Sequence, residues 1–202
     1  MNSDTGWRRV AAFPDLLSLH VDAPDSFPFL LESAVPDGGP RPATARYDLL
    51  LGDPGPALTL EADGSLWLDG ELLPGEGFLS ALTRLRAERA PRPPAGFPGP
   101  FWGGFFLYFA YEFSAHLEDL PPAKGVVPGP AAQAVVCDAG VIRDHVSGET
   151  LVAACGAGAE ARVAELADWA AAAGPAPEPG AGTAGTLQES DPAPYLEGVR
   201  RA

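Results

Sequence analysis

The residues best suited to chemistry lie at the ends of two short apolar segments. Glu32 and Ser33 follow Leu30 and Leu31, and Arg46 opens another apolar segment about a dozen residues later. If the two segments form paired strands, a carboxylate, a hydroxyl and a guanidinium meet beside an apolar core. That set suits an amino acid, because Glu32 can bind its ammonium, Ser33 can complete the hydrogen bonds and the core can hold its side chain. The alternative is a structural Glu32–Arg46 ion pair that joins the two strands.

The other residues with reactive side chains are scattered along the chain. The sequence has no GxSxG, GxxxxGKS/T, HExxH or CxxC motif. His20, His116 and His145 are far apart in sequence, and we expect each of them at the surface or at a strand end rather than on a metal. Glu112 is either a carboxylate placed for binding or one that is paired locally. The sequence therefore composes no set of nucleophile, base and oxyanion hole.

The stretch from Pro100 to Glu118 is the most aromatic part of the chain and must lie close to any such site. It has eight aromatic residues between Phe101 and Phe113. Its apolarity predicts a buried strand in the middle of a sheet, with both faces covered. Gly103 and Gly104 would allow a bulge or a close approach of the backbone.

The remaining elements are predicted from periodicity and turn residues. The pattern around Gly77 to Ala90 predicts an amphipathic helix, and Glu160 to Ala173 predicts a second one, stopped at Gly174. Between Val10 and Leu19 the pattern does not choose between helix and strand. The predicted strands are Phe27–Ser33, Arg46–Gly52, a hairpin from Leu58 to Leu68 around Asp63-Gly64, Ala131–Cys137, Val141–His145 and Thr150–Cys155.

Composition excludes some classes of protein. The chain has 202 residues and a formal net charge of −14, so it lacks the basic surface expected for nucleic-acid binding or for an anionic membrane. No segment reads as a secretory signal, and no apolar run reaches the roughly 20 residues that span a bilayer. We therefore expect a cytoplasmic protein, with Cys137 and Cys155 as reduced, buried thiols.

The C-terminal part differs in composition from the rest. Residues 174–189 have almost nothing to bury and are predicted to be a linker. Ser190 or Asp191 then caps a new helix that begins with Pro192 and continues to the last residue, Ala202. We interpret residues 1–173 as one domain and residues 190–202 as the start of a second one, so that the chain is a fragment.

Taken together, these segments resemble the N-terminal region of the chorismate-utilising synthases, the family of anthranilate synthase component I and aminodeoxychorismate synthase component I. The resemblance extends from about residue 13 to 172. Leu107 and Ala110 depart from it, since many relatives have glycine at both positions. The matching motifs, in order, are LLES at Leu30–Ser33, RYD at Arg46–Asp48, P-F-x-G-G at Pro100–Gly104, F-x-Y-E at Phe109–Glu112 and E-x-L-P from Glu118.

The resemblance implies an α+β fold, with antiparallel β-sheets packed face to face as a sandwich and helices outside. It also implies that chorismate and Mg²⁺ bind in a C-terminal catalytic domain with which this domain shares a core. The chain itself would then hold no catalytic residue, metal or cofactor, and would be inactive alone. RYD favours the aminodeoxychorismate branch, because anthranilate synthases tend to have RYS. Such an enzyme takes ammonia from a glutamine amidotransferase subunit and makes 4-amino-4-deoxychorismate for para-aminobenzoate and folate.

The resemblance further implies an effector pocket for L-tryptophan. By position, Leu31, Glu32 and Ser33 match the family's LLES element, and Arg46 and Tyr47 match its second strand. In anthranilate synthases the pocket senses the feedback inhibitor, and in para-aminobenzoate relatives tryptophan can occupy it as a structural ligand. Because part of the pocket comes from the C-terminal half, we expect this chain alone to bind tryptophan weakly or not at all.

Two other functions stay open at this stage. The chain could be the N-terminal regulatory domain of an anthranilate synthase component I, or a stand-alone binding module without catalysis. A separated domain would also expose part of its core face, and we then expect it to dimerise.

Overall fold

The structure is a computed structural model that describes residues 5–12, 14–33, 35, 41–89, 91–118, 128–174, 185–186 and 190–201. Two 3₁₀ turns, Ala43–Ala45 and Tyr111–His116, accompany the regular elements. The strands are β1 (Thr5–Val10), β2 (Phe29–Leu31), β3 (Tyr47–Leu60), β4 (Leu66–Leu68), β5 (Glu71–Leu72), β6 (Gly104–Phe109), β7 (Ala132–Asp144) and β8 (Glu149–Cys155). The helices are α1 (Leu16–Asp22), α2 (Phe78–Arg89), α3 (Ala159–Ala172) and α4 (Ala193–Arg201).

All eight strands belong to one antiparallel sheet that is built on the two long strands β3 and β7. In one half of the sheet the order is β2-β3-β7-β8-β1, and in the other half it is β5-β4-β3-β7-β6. The register of β3 against β7 shifts between Pro54 and Ala57, where the sequence is Asp-Pro-Gly-Pro-Ala. Proline lacks an N–H for the ladder, so this segment breaks the regular pairing and lets the sheet bend.

The bend brings the two halves of the sheet face to face. Phe29 of β2 stacks on Phe106 of β6, with ring centroids 4.0 Å apart and planes 6° from parallel. These rings come from strands at opposite ends of the bent sheet. The predicted α+β class, with antiparallel sheets packed together and helices outside, is confirmed, and the packed sheets are two halves of a single curled one.

The first half of the sheet is covered by α1 and α3. Asp15 begins α1 by accepting a hydrogen bond from the Ser18 backbone N–H at 2.7 Å, which settles the choice left open between Val10 and Leu19. The core between these layers buries aliphatic side chains, and Phe27 packs on Trp169. Its largest fully buried members are Phe27, Leu16, Leu19, Leu50, Leu166, Val141 and Val152.

The second half is covered by α2. The predicted helix is present as Phe78–Arg89, and Phe78, Ala81 and Leu85 face the sheet. The predicted hairpin is also present, with Leu58 opposite Leu68 and a left-handed Gly64 in its turn. Phe113, from the 3₁₀ turn after β6, completes this core against Phe78.

The prediction of a central strand between Pro100 and Glu118 is wrong. Within the described part of the chain, β6 pairs with β7 alone, and Leu107, Tyr108 and Phe109 are 44%, 44% and 43% exposed. The central strand is β7, because its small and β-branched residues fit between neighbours on both edges and layers on both faces. The predicted strands Ala131–Cys137 and Val141–His145 are parts of this one strand.

The predicted close approach of the backbone at Gly103 is confirmed. Gly103 has a φ of 90°, and a Cβ placed there would lie 2.5 Å from Cys155 Sγ. Only glycine fits a position that is both left-handed and this crowded. Two residues earlier, the ring of Phe101 lies against Gly140 of β7.

The C-terminal segment is only partly described. Most of the predicted linker, and the E-x-L-P motif beyond Glu118, lie outside the described residues. The predicted last helix is present as α4, and Asp191 accepts a hydrogen bond from the Ala193 backbone N–H. None of the helices in the described ranges is long and apolar enough to cross a membrane.

Candidate functional site

The pairing of β2 with β3 brings residues of the predicted site next to one another. Leu31 lies opposite Leu49, so the two residues that follow Leu31 run alongside Asp48 and Tyr47. The Ser33 backbone N–H donates to Asp48 Oδ1 at 3.0 Å, and the Ser33 hydroxyl donates to the Tyr47 carbonyl at 3.2 Å. The sequence predicted this pairing from two short apolar segments, and the pairing is confirmed.

Arg46 binds a different carboxylate from the one considered in the sequence. Its Nε and Nη2 donate to Asp144 Oδ1 and Oδ2 at 3.0 and 2.7 Å, a bidentate pair that joins β3 to the end of β7. The guanidinium also lies 4.7 Å from the centre of the Tyr47 ring. No ion pair among the described residues joins Arg46 to Glu32. The predicted alternative, a structural Glu32–Arg46 pair, is therefore wrong, because Arg46 pairs with Asp144.

The Arg46–Asp144 pair changes the acidity of the aspartate. Asp144 is buried, and the Arg46 guanidinium holds the pKa of its carboxyl well below the usual range of aspartate, although burial opposes this. The Val146 backbone N–H donates to the same carboxylate at 2.9 Å and acts in the same direction. Asp144 is therefore ionised in the folded protein at neutral pH, and its carboxylate holds the Arg46 guanidinium in the ion pair.

Asp48 is the centre of the site, although the sequence analysis singled it out only as a family marker. It is 4% exposed, and its Oδ2 lies 2.5 Å from His145 Nε2 and 4.0 Å from Arg143 Nη1. A buried carboxylate needs such partners, because desolvation of an unpaired charge is costly. Asp48 therefore connects the end of β2, through Ser33, to the end of β7, through His145.

Glu32 lies at the rim of this cluster. Burial raises the pKa of its carboxyl, and the negative charges of Asp48 and Asp15 raise it further, while Arg143 and His145 act in the opposite direction. The residue as a whole is exposed, as is its neighbour Leu31. An exposed carboxylate beside an apolar side chain can accept a hydrogen bond from a ligand ammonium.

The structure thus brings four of the five predicted residues together, and it gives the fifth, Arg46, a different partner. Leu31, Glu32, Ser33 and Tyr47 adjoin one another across β2 and β3, whereas the hydrogen-bonding face of Arg46 is occupied by Asp144. Sequence reasoning missed Arg143 and Asp144. It placed His145 at a strand end, which is correct, but not against Asp48. The only signal available was the charged cluster Arg143-Asp144-His145 at the end of an apolar strand.

Two cavities formed by described residues lie away from this site. One of about 220 Å³ lies between α3 and the segment after α1, and one of about 360 Å³ lies beside Val10 and Gly148. None of the five predicted residues lines either cavity. Across the described ranges, no three His, Cys, Asp or Glu side chains are grouped as metal ligands.

The two cysteines are free thiols, and Cys137 is buried as predicted, whereas Cys155 is only partly buried. Burial raises the pKa of Cys137 to about 11 and that of Cys155 to about 12. At neutral pH both are protonated, so neither is poised as a nucleophile. The Cys155 thiol lies 3.5 Å from Asp138 Oδ1, as a donor to that carboxylate.

Fold and site together define an α+β domain of antiparallel strands with a polar cluster at one end of its curled sheet. The chain is 36% identical over 132 residues to anthranilate synthase component 1 of Streptomyces coelicolor, a match that covers 64% of this chain and 22% of that protein. The crystal structure of anthranilate synthase component I from Streptococcus pneumoniae TIGR4 superposes with a TM-score of 0.48 and 16% identity, over 70% of this chain and 30% of that one. No family model matches the sequence.

The matched relative is much longer than this chain. The chain spans only about a fifth of the Streptomyces protein, 22% of its length. The sequence similarity is to one of the synthases whose family the five ordered motifs resemble. It does not distinguish the aminodeoxychorismate branch from the anthranilate branch.

Proposed function

We propose that this chain is the N-terminal domain, residues 1–173 with a linker at 174–189, of an aminodeoxychorismate synthase component I. The observation that carries the proposal is the 36% identity with an anthranilate synthase component 1, in a sequence that also carries the five motifs in order. Residues 190–202 would begin the catalytic domain of the same cytoplasmic protein. In this role the domain supports the catalytic half and holds no catalytic residue itself.

Asp48 is the reason for preferring the aminodeoxychorismate branch. It is the third residue of RYD, where anthranilate synthases tend to have serine, and here it is buried and bonded to both Ser33 and His145. A serine at this position would carry no negative charge, so it could not join Ser33 and His145 as the carboxylate does. The second candidate, anthranilate synthase component I, is favoured by the name of the Streptomyces relative.

The chemistry of the full-length enzyme would take place outside this chain. Chorismate and Mg²⁺ would bind in the catalytic domain, where the metal would neutralise substrate carboxylates and stabilise the leaving 4-hydroxyl group. Ammonia from a glutamine amidotransferase subunit would replace that hydroxyl and give 4-amino-4-deoxychorismate, the precursor of para-aminobenzoate and folate.

We further propose that Leu31, Glu32, Ser33 and Tyr47 contribute one wall of an L-tryptophan pocket. Glu32 would accept the ammonium, and Leu31 and Tyr47 would contact the side chain. Arg46 would act chiefly through Tyr47, near whose ring it lies, because Asp144 holds the guanidinium by its Nε and Nη2 donors.

The product of the full-length enzyme tests the function. The full-length gene product is incubated with chorismate, Mg²⁺ and ammonium, and the products are separated by chromatography and identified by mass. We expect 4-amino-4-deoxychorismate. Anthranilate would replace the leading function with the second one, and the absence of any amination of chorismate would overturn both.

Calorimetry on the full-length protein tests the pocket. We expect L-tryptophan to bind, and Glu32→Gln, which removes the charge and keeps the shape, to weaken binding at least tenfold, or about 1.4 kcal/mol. The control is Glu71→Gln, an exposed carboxylate on β5 at the other end of the sheet. Equal affinity of the Glu32→Gln variant and the wild type would show that Glu32 does not bind the ammonium.

A further inference from the structure

The cavity of about 220 Å³ between α3 and the segment after α1, here the α3 cleft, combines an aromatic floor with a charged rim. Phe27 and Trp169 form the floor, with ring centroids 4.8 Å apart. Arg162 and Glu165 lie at the rim. Glu165 precedes Trp169 by four residues of α3, so its carboxylate lies on the same face of the helix as the indole ring.

Strand β3 holds the floor of the α3 cleft in place. A Cβ at Gly52 would lie 2.3 Å from the ring of Phe27, so the absence of a side chain there makes room for the ring. The next residue, Asp53, has a φ of 51°, a left-handed conformation that is costly for a residue with a side chain. Its backbone N–H donates to the Ser26 carbonyl at 2.8 Å and so fixes the segment that carries Phe27. The cleft is therefore pre-formed, as small-molecule sites usually are.

The two charged residues at the rim differ in how much binding capacity they keep. The Arg162 guanidinium donates from Nε to Asp53 Oδ2 at 2.7 Å and from Nη2 to Asp53 Oδ1, and it lies 5.6 Å from the centre of the Phe27 ring. Its Nη1 reaches Glu165 Oε2 only at 3.3 Å, and the Glu165 side chain is 69% exposed. A carboxylate can accept about four hydrogen bonds. Glu165 therefore keeps acceptors for a ligand, whereas Arg162 is held by Asp53.

The charge around the α3 cleft favours a cation. The carboxylates of Asp53 and Glu165 face a single guanidinium, that of Arg162, so one negative charge is left uncompensated. Asp22 and Asp25, both exposed, lie in the stretch of chain that borders the cleft and add to the negative potential. The faces of aromatic rings also attract cations, and tryptophan does so most strongly. An anion would gain from neither feature.

We propose that the α3 cleft binds a small organic cation, an alkylammonium or alkylguanidinium compound. The cation lies over the ring of Trp169 and donates hydrogen bonds to the Glu165 carboxylate. The cleft is smaller than the about 300–1,000 Å³ of sites for drug-sized molecules, so it suits a ligand of few atoms. The inference goes beyond the proposed function, because none of the residues around Glu32 lines this cleft.

Titration of the full-length gene product with methylguanidinium, followed by ligand-observed NMR, tests the proposal. N-methylurea is the matched ligand control, because it has nearly the same shape without the charge, and we expect it to bind at least about tenfold more weakly. Glu165→Gln removes the charge of the rim and should weaken methylguanidinium binding at least about fivefold, and Trp169→Leu should weaken it about threefold. The control variant is Glu160→Gln, an exposed residue of the same helix that does not line the cleft, and its affinity should equal that of the wild type.

Each outcome of this titration decides. Glu165 is exposed, so we expect its variant to unfold at the wild-type Tm and to report on binding alone. Absence of methylguanidinium binding, equal binding of N-methylurea, or an unaltered affinity of Glu165→Gln would overturn the proposal. Loss of binding in Glu32→Gln instead of Glu165→Gln would assign the cation to the other site and overturn it as well. Failure to aminate chorismate would overturn the proposed function alone.

Discussion

Replacement of Asp48 by alanine should destabilise the domain more than any other single change at the site. The variant loses the acceptor for the Ser33 N–H and the partner of His145, two groups that are partly buried beside β3. Hydrogen bonds to a charged group are worth about 1.5–3 kcal/mol, and breaking a buried ion pair costs about 3–5 kcal/mol. Since His145 and Ser33 are only partly buried, we expect the free energy of unfolding to fall by about 3 kcal/mol, at the lower end of that range.

Denaturant unfolding and calorimetry measure this loss. For a domain of this size, 3 kcal/mol corresponds to a decrease in Tm of about 6–12 °C. Asp48→Asn keeps an oxygen for the Ser33 N–H and loses only the charge, so it should cost less, about 1–2 kcal/mol. The control, Asp168→Ala on the exposed side of α3, should stay within about 0.5 kcal/mol of the wild type.

A double-mutant cycle with His145→Ala decides whether the two residues act together. We expect a coupling energy of about 1 kcal/mol or more between Asp48 and His145. Strictly additive losses, or a loss below about 1 kcal/mol for Asp48→Ala alone, would refute the reasoning that Asp48 joins β2 to β7.

Three further predictions concern packing, pH and the site. Gly103→Ala should cost about 2–4 kcal/mol, from the left-handed backbone and from overlap with Cys155 Sγ, whereas Gly148→Ala, also left-handed but uncrowded, should cost about 1 kcal/mol; a second change, Cys155→Ala, should recover the difference in chemical denaturation. The pKa of Asp144 is lowered in the folded protein, so the stabilisation by its carboxylate is complete above the pKa of an unfolded aspartate and is lost as the pH falls through the folded pKa. Asp144→Asn should therefore flatten the acid side of the curve of unfolding free energy against pH, measured by urea titration. An unaltered curve would contradict this. Arg46→Lys cannot form the bidentate pair with Asp144, and it should weaken tryptophan binding by the full-length protein only if Tyr47 contacts the ligand. Calorimetry measures the affinity, and the control is Arg84→Lys, which replaces an exposed arginine of α2 that also forms a bidentate pair.

Local patterns in the sequence predicted much of the secondary structure. Alternating leucines around Asp63-Gly64 predicted the hairpin, and helical spacing predicted α2 and α3 within a residue or two of their ends. These features depend on neighbours a few residues apart, so local sequence is sufficient for them. The pairing of the segment at Leu30 with that at Arg46 was also predictable, because only a short connection separates them.

The polar cluster depended on contacts that no local pattern contains. Asp48 and His145 are 97 residues apart, and Arg46 and Asp144 are 98 apart. Both contacts arise because β3 and β7 pair in one particular register, with Tyr47 opposite Asp144. A shift of one residue would place these side chains on the other face of the sheet, so the sheet register decides the partners.

The sequence by itself determined which residues are apolar, where the turns fall and which family the motifs resemble. Only the tertiary structure decided that the aromatic strand β6 lies at an edge and that β7 occupies the centre. The physical reason is that an apolar strand gains stability from burial against any apolar surface. Its sequence therefore predicts that it is covered but not which surface covers it. The small residues of β7 admit neighbours on both edges, whereas β6 pairs with β7 alone among the described strands and leaves Leu107, Tyr108 and Phe109 partly exposed.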